Sequence, residues 1–502
     1  MTQIVSATQP GNDRHRSEAR KSAIGCTTNA ESQGVGSSIR GIVLVPSSVR
    51  SLIAVCLTFC AALCPPVRLP AEEPAPHRVI GVAGCTAASC HGGKSLIGGE
   101  ATAWLTRDIA HRRAFDVLFN ETSARMAKQL GLKAAHTEPR CLACHSTEAA
   151  HPDGAKGERF AVEFGVGCES CHGAAGDWVT RHTERTWRSL SASQKTALGF
   201  HDLRPINARA EKCAECHVGS PQATVDHDLI AAGHPRLAFE MSAYHTLLPK
   251  HWDAAAELQR DPAQELRLWA IGHAVSAKAL ADVSVTRAEA ATKGGMKHVT
   301  PDLAEFDCHA CHHDLSEPTR GRPTLRDSLG SPRWGSWSVP PARVAARESQ
   351  RLFGQDGSAA ESSLRQLLKL MQQSRLGIAP ADQLSLTARQ SSADLANWSR
   401  SLEDSATDPE RMNQLLHRLV ASESEWLPTW DGQVQRYLGI VATSRALRFT
   451  SGRDAFSFAA NADVFAKLRR RLAYPVGYAT PKGFDPSAFT PAIQELRQSL
   501  AR

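Results

Sequence analysis

Hydrophobic residues recur along this chain with the period of an α-helix. Within residues 101–131, one face collects four side chains at intervals of seven, four and three residues: Trp104, His111, Phe115 and Leu118. Side chains at this spacing line up on one side of a helix, so the pattern predicts a helix that ends at Gly131. His111 then points in the same direction as the apolar face.

The same period predicts a second helix over residues 264–291, whose apolar face holds Leu266, Trp269, His273, Ala277 and Leu280. Further on, sequence rich in Ala, Leu, Gln and Arg predicts helices over residues 342–376, 382–403, 408–420, 432–447, 455–472 and 486–500. Strand signals are scarce throughout. The expected fold class is therefore mainly α with little β, and the C-terminal region is expected to form an α-helical bundle.

Cysteine and histidine are concentrated in one part of the chain. Of the 14 Cys and 21 His, ten Cys and 19 His lie between residues 77 and 313, whereas residues 314–502 contain one His and no Cys. Residues 316–343 are rich in Pro, Gly, Arg and Ser, which is typical of a linker. We expect a Cys- and His-rich domain over residues 79–315, a linker over 316–343 and a helical domain over 344–502.

The ten cysteines form five pairs, and a histidine directly follows each pair. Four pairs have the order C-x-x-C-H, and the first has two further residues between its thiols. Covalent haem attachment needs two thiols and an adjacent imidazole, because each sulfur adds to one vinyl group and the histidine becomes the proximal iron ligand. The predicted sites are Cys85, Cys90 and His91; Cys141, Cys144 and His145; Cys168, Cys171 and His172; Cys213, Cys216 and His217; and Cys308, Cys311 and His312.

Other uses of cysteine pairs explain this pattern less well. Chance predicts about 0.02 C-x-x-C-H motifs at these frequencies of Cys and His, against four present. Zinc also binds C-x-x-C pairs, but zinc does not need a histidine after every second cysteine. A redox-active C-x-x-C motif normally occurs once, and ordinary disulfides need no histidine at all. We therefore expect five covalently attached haems c, packed inside a mainly α domain.

Fourteen other histidines between residues 77 and 313 are available as second axial ligands. Five are predicted as distal ligands: His111, His182, His227, His234 and His251. For His111 a hydrogen-bonded core histidine is the alternative, and it stays open. His245, His273 and His313 are weaker candidates, and His309 is expected to face solvent.

Residues 1–70 predict a signal peptide or an N-terminal anchor. Residues 52–63 form a 12-residue apolar run after Arg50, which is typical of a signal peptide and short for a membrane span. The Pro- and Glu-rich residues 71–78 read as a spacer. The cysteines outside the motifs all precede residue 70, and lipid attachment at Cys60 or Cys64 is an alternative. The expected location is periplasmic or otherwise extracytoplasmic, with membrane anchoring left open.

The net charge of +7 is no evidence for a nucleic-acid partner. Seven Lys and Arg against three Asp and Glu place +4 of it in residues 1–70, and no basic stretch is interleaved with aromatic residues. The expected partners are redox proteins or quinol-linked complexes. Membrane association through the N-terminus and a homo-oligomer are left open.

The Cys- and His-rich region resembles the multihaem cytochromes of the cytochrome c-554 group, which are relatives of hydroxylamine oxidoreductase and pentahaem nitrite reductase. The resemblance is carried by Trp104 and His111, by residues 165–173 around the Cys168 motif, and by His182. It implies that His111 ligates the iron of a partner haem. The longer first motif, the fifth motif and the C-terminal region depart from that group.

Two functions are consistent with this sequence. A bis-histidine haem has no open position and transfers electrons, which is the favoured function because histidines outnumber the distal positions. The alternative is a redox enzyme that acts on a small nitrogen or sulfur oxide at one open-faced haem. Pentahaem nitrite reductases carry a C-x-x-C-K motif and hydroxylamine oxidoreductases cross-link a Tyr to haem. This chain has no such motif, and Tyr244 is the only tyrosine in its haem region.

Overall fold

A computed structural model describes residues 77–93, 99–147, 155–299, 301–308, 311–312, 333–374, 379–421, 426, 428–451, 461–473, 484 and 486–500, and the statements below concern these residues. The predicted targeting segment 1–70, most of the spacer 71–78, residues 316–332 of the predicted linker, His309 and His313 lie outside the described residues.

The described chain is helical, as the periodicity predicts, and the mainly α fold class is confirmed. Among the described residues there is no strand, only isolated bridges such as Val79–Lys156. The α-helices are α1 Glu100–Thr106, α2 Ile109–Arg112, α3 Glu121–Gln129, α4 Pro139–His145, α5 Cys168–His172, α6 Ala192–Thr196, α7 Ile206–His217, α8 His227–Ala231, α9 Met241–Leu247, α10 Ala254–Arg260, α11 Gln264–Lys293, α12 Val339–Phe353, α13 Ser358–Ser374, α14 Ala381–Ser401, α15 Pro409–Ala421, α16 Trp430–Ser451, α17 Ala462–Leu472 and α18 Pro486–Leu500. Short 3-10 turns lie at Val82–Gly84, Asp116–Phe119, Ala135–Thr137, Val162–Phe164, Arg181–Thr183, Arg185–Ser189 and Leu303–Glu305.

The prediction of a single helix over residues 101–131 is wrong. The segment is divided into α1, α2, a 3-10 turn and α3. Asn120 is extended and its side chain accepts a hydrogen bond from the Ser123 amide (2.8 Å), so it starts a new helix rather than continuing the previous one. The predicted stop at Gly131 is present, and its φ of 67° suits glycine.

Helix α11 runs through the centre of the fold. It has 30 residues, is buried on almost every side, and packs against α7, α9, α12, α14 and α16. A helix whose side chains are apolar or small on every face is expected inside a domain rather than on its surface. Gly272 lets α9 approach closely, because a Cβ there would lie 2.2 Å from Cβ of Met241. This contact fixes α9 and the loop before it against the core.

The hydrophobic core crosses the predicted linker. One buried cluster contains Ile206 and Phe239 from the Cys- and His-rich region together with Leu364 and Leu496 from the C-terminal region. Both regions belong to one compact unit. The division into domains at residues 316–343 stays a prediction based on composition.

The C-terminal region contains helices α12 to α18, close to the predicted positions. The stretch predicted as 342–376 contains two helices, because Gly354 ends α12 in the left-handed conformation (φ 68°). Glu403, just after α14, accepts hydrogen bonds from the amides of Ile206 (2.5 Å) and Asn207 (2.9 Å). This carboxylate caps α7 and satisfies amides that have no partner within the helix.

None of the helices in the described part of the chain has the length and apolar character needed to cross a membrane.

Candidate haem sites

The five cysteine motifs, numbered sites 1 to 5 in chain order, fold locally so that thiols and histidine lie together. At sites 2, 3 and 4 the motif closes a helix, at the ends of α4, α5 and α7. Cysteines three residues apart on a helix share one face, and the histidine follows at the last turn. At site 5 the His312 amide bonds the Cys308 carbonyl (2.8 Å), and at site 1 the longer loop returns so that the His91 amide bonds the Cys85 carbonyl (3.3 Å).

The first four motifs line one cavity of about 2570 Å³. Its walls also carry four of the predicted distal histidines, His111, His182, His234 and His251. None of the described motif cysteines is in a disulfide bond. Burial raises the pKa of Cys171 to about 11 and that of Cys213 to about 12. These thiols are therefore protonated at neutral pH and sit in an apolar space large enough for planar groups.

Each motif histidine faces one of the five predicted distal histidines. The ring centroids are 6.1 Å apart for His91 and His182, 6.1 Å for His217 and His111, 6.4 Å for His145 and His234, 6.3 Å for His172 and His251, and 6.3 Å for His312 and His227. The ten histidines named from the sequence thus meet as five pairs, and each pair contains one residue from a motif and one from elsewhere.

The separation of these pairs suits one iron atom between two imidazoles. A metal–imidazole bond of about 2.0–2.1 Å on either side of the metal puts the two ring centroids roughly 6.3 Å apart. Stacked ring pairs that hold no metal span a wider range, from 4.3 Å for Phe119 and His136 to 6.3 Å for His172 and Phe200, so the meeting of two histidines at this separation in every pair is what matches an iron site. The histidine pairs therefore fit haem iron at all five sites.

Several of these histidines are held by their Nδ1 atoms, which leaves Nε2 free to ligate. Nδ1 of His91 bonds Glu100 (3.0 Å), and Nδ1 of His111 bonds the Asp108 carboxylate (2.9 and 3.0 Å). Backbone carbonyls serve two others: Nδ1 of His145 bonds Ala114 O (2.6 Å) and Nδ1 of His234 bonds Pro235 O (2.8 Å). Partners of this kind fix the tautomer and orientation of metal-ligating histidines.

Burial keeps two of the motif histidines neutral. It lowers the pKa of His172 to about 4, helped by the neighbouring His251, and it lowers the pKa of His217 to about 4, helped by His111. For His111, burial acts to lower the pKa, but the hydrogen bond and charge of Asp108 raise it above the ordinary value. A neutral imidazole has the lone pair that an iron needs.

Glu169, inside the third C-x-x-C loop, organises the backbone around sites 1 and 3. It is 2% exposed and accepts hydrogen bonds from the amides of Ile80 (2.9 Å), Gly81 (2.7 Å) and Ala175 (2.8 Å). The three backbone donors satisfy the oxygens of this buried carboxylate. Glu169 therefore ties the segment before Cys85 to the third motif.

Thiols of different motifs are neighbours. The Cys85 side chain lies next to that of Cys168, and the Cys144 side chain lies next to that of Cys216. Site 1 therefore lies beside site 3, and site 2 beside site 4. Arg140, which precedes the site 2 motif, forms an ion pair of 2.7 Å with Asp226, which precedes the site 5 partner His227.

Aromatic residues that the sequence analysis did not single out join these sites. Phe200 stacks on His172 (6.3 Å) and packs edge-on against Trp178 (5.1 Å), which itself packs against His182 (5.5 Å). Phe239 stacks on His217 at 5.8 Å. No local pattern in the sequence announces these contacts, because they join residues that are distant along the chain.

Two weaker histidine candidates lie elsewhere. His245 is buried, accepts a hydrogen bond from Arg209 Nη1 (2.7 Å), and has a pKa lowered to about 2 by burial and by the charges of Lys250 and Arg209. His273 is buried in α11 beside Trp269, and burial lowers its pKa to about 3. Neither faces a motif histidine among the ring contacts of the described residues.

Comparison with known families found one match, which covers part of the haem-motif region. Residues 85–173, which hold the first three motifs, match the family model described as cytochrome c554 and c-prime. This match supports a c-type cytochrome of the c554 group over these residues. Cytochromes of this kind carry covalently bound haem c, transfer electrons and are typically extracytoplasmic. No curated protein and no solved structure matches the chain.

Proposed function

We propose that this cytochrome is an exported electron carrier with five haems c, each attached through two cysteines and capped by two histidines. The observation that carries the proposal is the set of five histidine pairs at 6.1–6.4 Å. Haem supplies the reversible Fe(III)/Fe(II) couple. The chain supplies the ligands, the apolar surroundings and the fixed charges.

The pairs favour electron transfer over catalysis at an open haem. An enzyme of that kind needs a site whose motif histidine has no second histidine opposite it. Among the described residues every motif histidine has one. The runner-up, a redox enzyme for a small nitrogen or sulfur oxide, is therefore the weaker proposal.

The neighbouring motifs support movement of electrons between sites. The contacts of site 1 with site 3 and of site 2 with site 4 bring separate attachment points together, and the Arg140–Asp226 ion pair links sites 2 and 5. The outermost thiols, Cys90 at site 1 and Cys311 at site 5, are exposed. We infer that redox partner proteins or quinol-linked complexes reach the chain of haems at these two sites.

Export is part of the same proposal, because c-type haem is attached outside the cytoplasm. The apolar run over residues 52–63 after Arg50 supports it. Cleavage of this segment and its retention as an anchor remain alternatives. N-terminal sequencing of the mature protein distinguishes them.

The haem number is tested by intact mass together with a reductive titration of the exported protein. We expect five haem additions and five electrons accepted per chain. The double variant Cys308→Ala/Cys311→Ala is expected to carry four haems and accept four electrons, with the other sites unchanged. Fewer than five haems in the unaltered protein would contradict the proposal.

A further inference from the structure

A buried ion pair joins the C-terminal helices to the loop that follows His234. Arg236 Nη1 bonds both carboxylate oxygens of Asp431 at 2.9 Å, and Nη2 reaches Ser336 Oγ at 3.3 Å. Ser336 in turn donates to Asp431 at 2.5 Å. Asp431 is 2% exposed and lies in the first turn of α16. The single nitrogen Nη1 contacts both carboxylate oxygens and Nη2 bonds Ser336, so the guanidinium is held at two of its nitrogens by charge-assisted and neutral hydrogen bonds.

A second anchor lies a few residues further along the same loop. Trp337 Nε1 donates a hydrogen bond to the carbonyl oxygen of Phe239 (2.7 Å), and the Trp337 ring stacks on Trp430 at 5.8 Å. Trp430 precedes Asp431 in α16. Residues 236–239 are therefore held at both ends by the start of α16 and by the segment 336–337 that lies against it.

The same loop carries two of the ring contacts at the haem sites. His234, two residues before Arg236, faces His145 of site 2. Phe239 stacks on His217 of site 4. Pro235 separates His234 from Arg236, and proline fixes its own φ, so the position of Arg236 is closely coupled to that of His234.

Anchoring alone does not require charge. An apolar pair of similar volume at a buried position is often as stable as an ion pair or more stable, whereas removing one partner leaves a buried charge that is costly. A buried pair of this type therefore contributes a defined geometry more than it contributes stability. That is the property a loop needs if it presents an axial ligand.

We propose that Asp431 is a positioning residue for haem ligation: through Arg236 it holds His234 opposite His145, and the C-terminal helices thereby complete site 2. The proposal rests on the proposed bis-histidine ligation. It gives the C-terminal region a role that neither its composition nor the family match assigns. Loss of the Asp431 carboxylate is expected to release His234 from the iron while both thioether bonds remain.

The test is an EPR spectrum of the oxidised, haem-loaded full chain carrying Asp431→Asn, which removes the charge and keeps the shape. We expect the haem content to stay the same and one low-spin signal to be replaced by a high-spin signal. The reference for that signal is His234→Gly, which removes the ligand itself. Added imidazole is expected to restore a low-spin signal in both variants.

The matched control is Glu361→Gln, which breaks the Arg343–Glu361 ion pair (2.6 Å) between α12 and α13, away from the motif histidines. It is expected to leave every low-spin signal in place. An equal high-spin signal in Glu361→Gln would show a general loss of stability and would overturn the positioning role. So would an unchanged spectrum of Asp431→Asn.

A second variant keeps the test decisive if Asp431→Asn does not fold. Arg236→Met/Asp431→Leu replaces the pair by apolar groups and leaves no buried charge. The proposal predicts a folded protein with the site 2 high-spin signal, and a fully low-spin spectrum would contradict it. Failure of the bis-histidine proposal itself is distinguishable, because a high-spin signal would then already be present in the unaltered protein.

Discussion

The contact between Asp108 and His111 allows a quantitative prediction about one redox potential. The Asp108 carboxylate bonds Nδ1 of His111 at 2.9 and 3.0 Å, and its side chain is only 14% exposed. If Nε2 of His111 ligates iron at site 4, the carboxylate stabilises the ferric state, whose charge is one unit more positive than that of the ferrous state. The substitution Asp108→Asn removes this charge and keeps an oxygen that can accept the hydrogen bond.

The size of the effect follows from the distance. The hydrogen bond, the width of the ring and a metal–nitrogen bond of about 2 Å place the carboxylate roughly 7 Å from the iron. At an effective dielectric constant of about 20, two unit charges at that distance interact by about 2 kcal/mol. For a one-electron couple this is about 100 mV. Because His111 is 34% exposed, screening reduces the expected rise in potential to on the order of 50–100 mV.

The assay is a spectroelectrochemical titration of the haem-loaded variant, resolved into its component centres. We expect the reduction potential of one haem to rise and the potentials of the other four haems to stay unchanged. Asp116→Asn is the matched control, since Asp116 is close in sequence but more exposed and paired with Arg113. A shift in Asp108→Asn no larger than the shift in this control would refute the assignment of His111 as a ligand.

Three further predictions follow from other contacts. His111→Met is expected to leave five haems attached and to raise the potential of one centre further than Asp108→Asn, because thioether ligation favours ferrous iron; an unchanged titration would remove His111 from the ligands. Glu240 is buried and its pKa is raised to about 7, chiefly by burial. Protonated Glu240 therefore stabilises the fold fully below pH 4.5, and this stabilisation is lost as the pH rises through 7. The free energy of unfolding is expected to fall by up to about 3 kcal/mol over that range. Chemical denaturation of Glu240→Gln should lack this pH dependence, and a profile identical to that of the unaltered protein would contradict the assignment. Glu169→Gln weakens the hydrogen bonds that three backbone amides donate to Glu169, and it should lower the free energy of unfolding by about 1–3 kcal/mol. The control is Glu163→Gln at an exposed position, which should change the free energy of unfolding little.

The sequence is enough to propose the proximal half of each candidate site, because the chemistry of haem attachment is local. A haem at Cys168, Cys171 and His172 would take two thioether bonds and its proximal ligand from adjacent residues. The family match over residues 85–173 supports that interpretation for the first three motifs. The short helices that close at His145, His172 and His217 follow from the same spacing.

The pairing of the distal histidines was not predictable, because it depends on packing between distant segments. His111 meets His217 only when α2 lies against α7, and His172 meets His251 through a loop that precedes α10. Sequence reasoning named these histidines but left the pairs open. It named His245 as a weaker candidate than His251, and in the structure His245 accepts a hydrogen bond from Arg209 whereas His251 faces His172.

Helical periodicity predicted the long helices better than the region around the haem sites. Helix α11 lies within a few residues of its predicted bounds, because its buried side chains extend over its full length. Residues 101–131 show the same period, yet the chain turns at Asp108 and Asn120 to bring His111 into the cavity. The turn at Asp108 and the side-chain cap at Asn120 interrupt the helix there, and periodicity alone does not show such breaks.

The measurement that tests the central claim most directly is the EPR spectrum of the oxidised protein with its haem content quantified on the same sample. Five haems per chain, all low-spin, is the result predicted by five histidine pairs. A high-spin signal from one haem in five would show an open iron and would contradict the account, as would a protein that binds fewer than five haems.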